Sequence, residues 1–309
     1  MKVLSFEDLK SFEQRPAVSI GMFDGVHKGH LLLIEQLIQE AKDLNTCSMV
    51  ITFNCHPRQV ITNNINEVSI LQTSSQRLES LSKSGVDYLV ILHFTKEIAM
   101  LEASEFLDLV IEKINPQSLL LGYDNRFGKK GSSEFDDILH KGEYKNIKVK
   151  RTQACIWHNE KEISSTQIRK ALERGEIADA NQMLGYQYSI EGKVVNGYKI
   201  GRNLGFPTAN IETSSNKLIP KEGVYAIICK IENKFHKAVL FIGQRTTFNI
   251  EGISIEAHIF DFNQEIYSSD IEIIFIDYIR EQQKFNTVEE LTNAINKDCE
   301  NAKKILQNK

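Results

Sequence analysis

The sequence predicts an α/β protein of two domains, the first built on a parallel sheet and the second a small closed β-barrel with a terminal helix. Three observations predict it: strand-like and helical segments alternate through the first half, short β-patterned segments follow one another from Tyr188, and one long helical pattern ends the chain. We place the boundary between Leu184 and Tyr188, which gives domains 1–185 and 186–309.

The first domain alternates strands with helices of crossover length, the pattern of parallel sheets. Strands are predicted at 17–20, 47–53, 87–92 and 118–121, and helices at 31–44, 74–84 and 104–114, with Ser104 as the N-cap of the last. Ligands of such sheets bind beyond the carboxyl ends of the strands. The candidate loops are therefore 21–30, 53–58, 122–131 and 164–169.

The second domain reads as β-strands separated by glycines and polar turns. They are predicted at 188–195, 223–231, 235–242, 254–260 and 271–278. A helix from Val288 to Leu306 closes the chain, and Thr287 with Glu290 forms a capping-box pattern at its start. Short strands with one terminal helix favour a small barrel.

The composition limits which binding partners and which cellular compartment are expected. The 309 residues are 41% hydrophobic and 25% charged with a net charge of -4, so no general affinity for nucleic acid or anionic membranes is expected. The five cysteines form no metal-binding or C-x-x-C spacing, and the amino terminus carries charge too early for a signal peptide. No apolar run is long enough to span a bilayer, so we expect a cytoplasmic protein. Self-association is not predicted.

The loop from Gly21 to His30 lies between a strand and a helix, where free N–H groups and the helix dipole favour phosphate. Gly25 and Gly29 allow a ligand to approach the backbone, and His27 and His30 can face one anion. The sequence has neither a P-loop nor a G-x-G-x-x-G dinucleotide motif. The alternative is that the histidines only cap a helix.

This loop resembles the H-x-G-H signature of nucleotidyltransferases. The longer string G-x-F-D-G-V-H-x-G-H is similar to the FMN-adenylylating branch found in bacterial bifunctional riboflavin kinase/FAD synthetases. The resemblance implies a Rossmann-like N-terminal domain in which His27 and His30 are catalytic. It also implies that ATP contacts Gly21, Phe23, Asp24, Gly25 and Gly29.

Two further loops resemble flavin-site motifs of the same family. The first is T-F-x-P-H-P with Cys55 in place of a proline, and the second is G-x-D/N-x-x-F-G, which departs from the family at Asn125 and at 129–131. An aromatic ring can pack on a flavin, and His and Arg side chains can hold phosphates; the alternative is an ordinary charged loop. The resemblance implies flavin contacts at Phe53, His56, Pro57, Arg58, Asp124, Arg126 and Phe127.

The string Ser164-Ser165-Thr166-Gln167-Ile168-Arg169 opens a helix and resembles the S-S-T-x-I-R element of the family. Hydroxyl and N–H groups at a helix start bind phosphate, and an arginine one turn on adds charge. The resemblance implies phosphate contacts at the two serines and the threonine and a catalytic Arg169; the alternative is a plain N-cap.

The longest match is from Gly192 to Ile211, which resembles the G-x-V-x-x-G-x-x-x-G-R-x-L-G-F-P-T-A-N-I of riboflavin kinases. Its glycines permit a loop to close over phosphates, and the oxygens of Thr208 and Asn210 suit Mg²⁺. The resemblance implies ATP contacts at Gly201, Arg202 and Gly205 and metal contacts at Thr208 and Asn210. A long hairpin is the structural alternative.

Downstream motifs complete the likeness to riboflavin kinases. Glu256 lies in a V-E-x-H-like string whose glutamate is the family's base, and Arg280 with Phe285 matches the R-x-x-x-x-F of the flavin site. Phe241 and Thr246 replace the family's asparagine and proline. Strand alternation places Ser254, Glu256 and His258 on one face.

The resemblance implies an enzyme that phosphorylates riboflavin to FMN and adenylylates FMN to FAD. Riboflavin, FMN and ATP would be its substrates and Mg²⁺ its cofactor. Two rivals stay open: a flavin-binding regulator with weakened catalysis, and a nucleotidyltransferase for another phosphorylated acceptor with the barrel as an accessory domain. The retained histidines speak against the first, and the P-T-A-N string speaks against the second.

Overall fold

The computed structural model of the chain describes residues 1–123, 126–129, 133–152, 156–159, 161–197, 205–213, 216–244 and 253–307. Two compact units divide it, Met1–Ser165 and Thr166–Lys309. None of the helices in the described part of the chain has the length and apolarity needed to cross a membrane.

The first unit contains a seven-stranded sheet of order β1-β4-β3-β2-β5-β7-β6. Every pairing is parallel except that of β6 with β7, so the predicted parallel sheet is confirmed. Its strands are β1 Lys2–Ser5, β2 Ala17–Ile20, β3 Ser48–Phe53, β4 Tyr88–Leu92, β5 Ser118–Leu121, β6 Glu143–Tyr144 and β7 Ile147–Arg151. A separate hairpin pairs β8 Trp157–His158 with β9 Lys161–Glu162.

Helices of the first unit cover both faces of this sheet. They are α1 Lys28–Asp43, α2 Pro57–Ile61, α3 Ser74–Ser82, α4 Lys96–Met100, α5 Ala103–Ile114 and α6 Glu134–Lys141. One face packs Val18 and Met49 against Phe106 of α5, and the other packs Val50 against Leu37 of α1. Strands buried on both sides leave only the loops at their ends to meet ligands.

The prediction that Ser104 caps α5 is wrong. The N-cap is Glu102, and its N–H donates to the carboxylate of Glu105 at 2.8 Å in a reciprocal capping arrangement. Ser104 lies in the first turn, where its N–H donates to Glu134 at 3.0 Å. Glutamate side chains therefore cap the start of α5, in place of the serine hydroxyl that N-cap statistics favour.

The second unit contains a closed antiparallel barrel of order β10-β11-β14-β13-β12-β15, which confirms the predicted barrel. Its strands are β10 Ser189–Val195, β11 Ala209–Thr213, β12 Gly223–Ile231, β13 Lys234–Gln244, β14 Ile253–Ile259 and β15 Asp270–Arg280. The strand pattern alone predicted five of these, and β11 continues the P-T-A-N string.

The predicted terminal helix is confirmed as α9, Val288–Leu306. Its Cys299 and Leu306 pack with Val224 of the barrel wall. Thr287 accepts from the N–H of Glu290 at 3.1 Å, as a capping box requires. The carboxylate of Glu290 accepts instead from Asn286, one residue earlier than the pattern predicts.

Two helices precede the barrel, α7 Ser165–Arg174 and α8 Ile177–Leu184. The N–H of Lys221 donates to the carbonyl of Leu172 at 3.0 Å. The amide of Asn181 donates to Phe275 O at 3.0 Å and accepts from Tyr188 N at 2.7 Å. Residues after Ser165 therefore group with the barrel by contacts, whereas the boundary between 185 and 186 stays a prediction.

Candidate active sites

The loop between β2 and α1 has an unusual backbone. Phe23 and Val26 have positive φ angles of 53° and 32°, and Gly25 has 85°. Non-glycine residues in this region are strained, and such strain clusters at functional sites. Phe23 and Val26 are buried in the core under α1, so the chain turns sharply and leaves its backbone at the sheet edge.

Asp24 belongs to this loop and is 2% exposed. The N–H of Leu71 donates to both of its carboxylate oxygens at 3.0 Å, and the N–H of Gln72 donates to Oδ1 at 3.1 Å. A contact between Asp24 and ATP stays a prediction. In the structure its carboxylate holds a neighbouring backbone segment.

His27 and His30 come together at the start of α1. Their rings stack at 3.6 Å between centroids, with 16° between planes. His27 is the N-cap of α1, and its Nδ1 accepts from the N–H of His30 at 3.3 Å. Because Nδ1 is an acceptor, a neutral His27 carries its proton on Nε2. The capping role considered as an alternative is therefore real, and it engages the Nδ1 atom.

Gly29 explains how these rings fit against the next motif. A Cβ at this position would lie 3.2 Å from the His27 ring and 3.3 Å from the carbonyl of Ile163. Ser165 then donates its hydroxyl to the carbonyl of Asp24 at 2.8 Å. The loops 21–30 and 163–165 are therefore neighbours, as their placement at one sheet edge predicts.

His30 is half-buried, but its Nδ1 atom is inaccessible to solvent and has no hydrogen-bond partner among the described residues. Burial lowers the pKa of His30 well below its usual range, and the neighbouring His27 lowers it further. The imidazole is therefore neutral near pH 7. A buried polar atom without a partner is costly, which fits a group that a ligand completes.

The lowered pKa of His30 predicts that stability falls with acid. In the unfolded chain a histidine binds a proton at about pH 6.5, whereas folded His30 does so only at lower pH. The unfolding free energy should therefore drop below about pH 6.5, by up to about 1.4 kcal/mol per pH unit, until the folded pKa is reached. Urea unfolding followed by circular dichroism at several pH values measures this, and His30→Phe should show a shallower slope. Equal slopes would contradict it.

Thr166 and Arg169 belong to the second unit by contacts. Thr166 is exposed and Arg169 half-buried on α7, which begins at Ser165. Four residues along a helix separate Ser165 from Arg169, so both side chains lie on one helical face. Ser164 is half-buried just before the helix.

The loop 53–58 is joined to the first loop by Thr52, whose hydroxyl donates to Met22 O at 3.1 Å. Phe53 is buried and meets Phe94 edge-on at 5.1 Å. His56 caps α2 by accepting from the N–H of Arg58 at 3.3 Å, with Pro57 in the first turn. Arg58 is exposed. The predicted flavin contacts of these residues stay predictions.

In the loop 122–131 the structure describes 122–123 and 126–129, so Asp124 lies outside the described residues, as do Asn125, Lys130 and Gly131. Arg126 makes a bidentate ion pair with Asp136 at 2.8 and 3.0 Å. Phe127 packs between Phe106 and Phe135, with centroids 5.6 and 4.8 Å away. Its ring is thus used in apolar packing within the protein.

Gly128 seats this loop on the start of α5. Its φ is +86°, and a Cβ there would lie 2.7 Å from the backbone N of Ala103. The N–H of Lys129 donates to Leu101 O at 2.8 Å. Lys129 departs from the family motif, but this contact uses its backbone N–H, which every residue except proline has.

The second constellation lies where β11 and β14 pair in the barrel. Glu256 accepts from the hydroxyls of Thr208 at 3.2 Å and Ser254 at 2.9 Å. Asn210 faces Glu256 in the strand register. Ile255, Ala257 and Ile259 are buried while Glu256 and His258 are half-buried, which confirms the predicted alternation for these residues.

Asn210 lies directly against Gly197, where a Cβ would overlap its amide. Only glycine fits at that position. Gly205 has a φ of +86°. Gly201, Arg202 and Thr246 lie outside the described residues.

Arg280 is bound within the protein. Its Nε and Nη2 donate to the carboxylate of Asp298 on α9 at 2.8 and 2.6 Å, its Nη1 donates to Glu281 O, and its guanidinium lies 5.8 Å from the Phe285 ring. The arginine and phenylalanine of the R-x-x-x-x-F motif thus meet. A flavin contact at Arg280 stays a prediction.

The sequence did not single out Arg77 or Asp298. Both are buried charged residues, at 3% and 5% exposure, and both hold segments that carry predicted site residues. A signal exists only for Asp298, an acidic residue among the apolar positions of the terminal helix.

The fold and its two sites define a two-part enzyme of nucleotide chemistry, an α/β nucleotidyltransferase domain followed by a β-barrel kinase domain. The FAD synthetase family matches residues 9–167, and the Riboflavin kinase family matches residues 184–306. The two matches fall on the two units in chain order.

Similar proteins agree with this class. A bifunctional riboflavin kinase/FMN adenylyltransferase of Listeria monocytogenes is 36% identical over 285 residues, 91% of this chain and 89% of that protein. One of Bacillus subtilis is 33% identical and covers 97% and 95%. A crystal structure from Streptococcus pneumoniae, described as a macrolide-efflux protein, shares the fold with a TM-score of 0.85, 29% identity and coverage of 98% and 99%. The chain belongs to the bifunctional riboflavin kinase/FMN adenylyltransferase family.

Proposed function

We propose that the protein phosphorylates riboflavin to FMN in its C-terminal unit and adenylylates FMN to FAD in its N-terminal unit. ATP is the co-substrate of both reactions. The observation that carries the proposal is that each unit gathers its own motif residues, the stacked His27 and His30 in one and Glu256 with Thr208 in the other. The match of both halves to the corresponding families supports the same order.

In the adenylylation site a phosphate oxygen of FMN attacks the α-phosphorus of ATP, and the bond to the leaving pyrophosphate breaks. The start of α1 offers its positive dipole and the N–H groups of its first turn to the phosphates. We assign to His27 Nε2 and to His30 the donation of hydrogen bonds to the charge that develops. Ser164 and Ser165, at the end of the first unit, supply hydroxyls at the start of α7.

The predicted flavin residues of the first unit divide into two kinds. Phe53 and Phe127 are packed within the protein, so we assign them the shaping of the pocket wall. His56 and the exposed Arg58 lie on the loop after β3 and can hold the FMN phosphate. We assign to Gly21 and Gly25 the close approach of the ATP phosphates to the backbone of the first loop. Gly29 instead makes room for the His27 ring and the Ile163 carbonyl.

In the kinase site the terminal ribityl hydroxyl of riboflavin attacks the γ-phosphorus of ATP, and ADP leaves. Glu256 accepts the proton of that hydroxyl, because its half-buried carboxylate lies beside Thr208 and Asn210, the residues assigned to the cation. The side-chain oxygens of Thr208 and Asn210 are hard donors that suit a divalent cation, and we propose Mg²⁺. Bound there, Mg²⁺ would neutralise charge on the ATP phosphates.

The two activities should separate when the chain is divided. We expect the fragment 166–309 to fold and to phosphorylate riboflavin, because α7 and α8 pack on the barrel through Leu172 and Asn181. The fragment 186–309 should do the same with lower stability, since Tyr188 N and Phe275 O then lose the Asn181 amide. Thermal unfolding and a riboflavin phosphorylation assay on both fragments measure this.

A folded 166–309 fragment without kinase activity would contradict the assignment of the kinase to the second unit. The full-length protein assayed under the same conditions is the control, because it distinguishes an inactive fragment from an inactive enzyme.

A further inference from the structure

A short segment of the first unit, residues 71–77, contacts both ligand-edge loops. It covers the residues before α3 and the first turn of that helix, where Thr73 is the N-cap and forms a capping box with Gln76. One loop follows β2 and the other follows β3. Neither loop pairs with this segment as a strand. The segment therefore acts on the loops through individual hydrogen bonds.

The first contact is with the loop that carries the histidines. Asp24 accepts from the N–H groups of Leu71 and Gln72, all within 3.1 Å, and is buried. Charge-assisted bonds of this kind are stronger than neutral ones. They tie the position of Asp24, three residues before His27, to the 71–77 segment.

The second contact is Arg77, which bonds to both loops at once. Its Nη2 donates to Phe53 O at 2.6 Å, and its Nη1 donates to the sulfur of Met22 at 3.6 Å. Arg77 is 3% exposed, and its Nε has no partner among the described residues. Burial lowers the pKa of Arg77 and the charge of Asp24 offsets part of this, but a guanidinium stays charged in proteins.

The third contact is with the loop after β3. The hydroxyl of Ser74 donates to Asn54 O at 3.2 Å, and Asn54 Oδ1 accepts from Phe94 N at 2.9 Å. The carbonyls of Phe53 and Asn54 are therefore both held from α3, three and two residues before His56.

We propose that Arg77 is a positioning residue for adenylyl transfer, which fixes the distance between the His27/His30 loop and the loop 53–58. This inference rests on the proposed function, and it adds a residue that does not touch substrate. Burying the charge of Arg77 costs free energy, and one strong hydrogen-bond acceptor offsets only part of that cost. A purely stabilising role therefore does not explain the residue. Its two bonds instead join the loop proposed to hold the ATP phosphates to the loop proposed to hold FMN.

The test compares full-length wild type with Arg77→Met, Arg77→Lys and the control Lys83→Met. Lys83 ends the same helix on the surface and bonds to Glu79. Initial rates of FAD formation are measured over a range of FMN and ATP concentrations, and riboflavin phosphorylation is measured on the same preparations. Circular dichroism and urea unfolding give the folded fraction of each.

For folded Arg77→Met we expect kcat/KM of adenylylation to fall about 10²-fold, with both a lower kcat and a higher KM, because small misplacements of reacting groups have effects of this size. Arg77→Lys retains one donor and should recover part of the loss. Lys83→Met should match wild type, and riboflavin phosphorylation should not change in any variant.

Folded Arg77→Met with wild-type kcat and KM would overturn the proposal. So would a lower kcat at unchanged KM that follows the folded fraction, because that is the result of a stabilising role only. If Arg77→Met does not fold, the same comparison of kcat and KM is made with Arg77→Lys. Wild-type kcat and KM in folded Arg77→Lys would then overturn the proposal. Failure of wild type itself to convert FMN to FAD would instead refute the proposed function.

Discussion

Glu256→Gln is expected to lower riboflavin phosphorylation about 10²–10⁴-fold, the usual contribution of a general base. The substitution keeps the shape of the side chain and removes its basicity. The hydroxyls of Thr208 and Ser254 now donate to Glu256, so an amide oxygen can still accept from one of them. Adenylylation of supplied FMN should stay at the wild-type rate, since its site is assigned to the other unit.

Glu212→Gln is the control for this experiment. Glu212 is an exposed glutamate of β11, two residues from Asn210 in the same barrel. It should leave both activities unchanged. Undiminished FMN formation by folded Glu256→Gln would remove Glu256 from the mechanism.

His30→Ala is expected to slow FAD formation about 10²–10³-fold, the cost of one donor to developing charge. His30 is neutral, and its buried Nδ1 has no partner among the described residues, so a bound ligand can complete its hydrogen bonding. His27→Ala should have a similar effect and also lose an N-cap of α1. Riboflavin phosphorylation by either variant should match wild type.

The control is His93→Ala, which changes an exposed histidine of the same unit. Rates are compared after the folded fraction has been measured, because His30 is also part of a ring stack. FAD formation at the wild-type rate by folded His30→Ala would refute the assignment of this loop.

Regular, buried elements could be predicted from the sequence. The strands Ala17–Ile20 and Ser118–Leu121 are apolar enough to be recognised, and their connections imply parallel pairing. The edge strand Lys2–Ser5 is exposed at two of its four residues, and Ile147–Arg151 alternates apolar and charged residues. Their pairing depends on neighbours distant in sequence, and no local pattern shows it.

The sequence predicts which residues lie at the candidate sites better than it predicts the contacts that these residues make. Motif position placed His27, His30 and Ser165 at one edge, and the alternation of β14 placed Glu256 beside Ser254. The burial of the His30 Nδ1 atom and the bonds of Asp24 to the segment at 71–72 were not predictable, because both depend on how loops pack in three dimensions. The ion pair of Arg280 was not predictable either, because its partner Asp298 lies on a different element, α9.

Incubation of the full-length protein with riboflavin, ATP and Mg²⁺, followed by chromatographic separation of flavins over time, tests the central claim most directly. We expect riboflavin to decrease, FMN to appear first, and FAD to follow with release of pyrophosphate. The order follows from the two sites, since only the product of the kinase site carries the phosphate that attacks ATP in the other. A protein that binds flavin but forms neither FMN nor FAD would contradict the account.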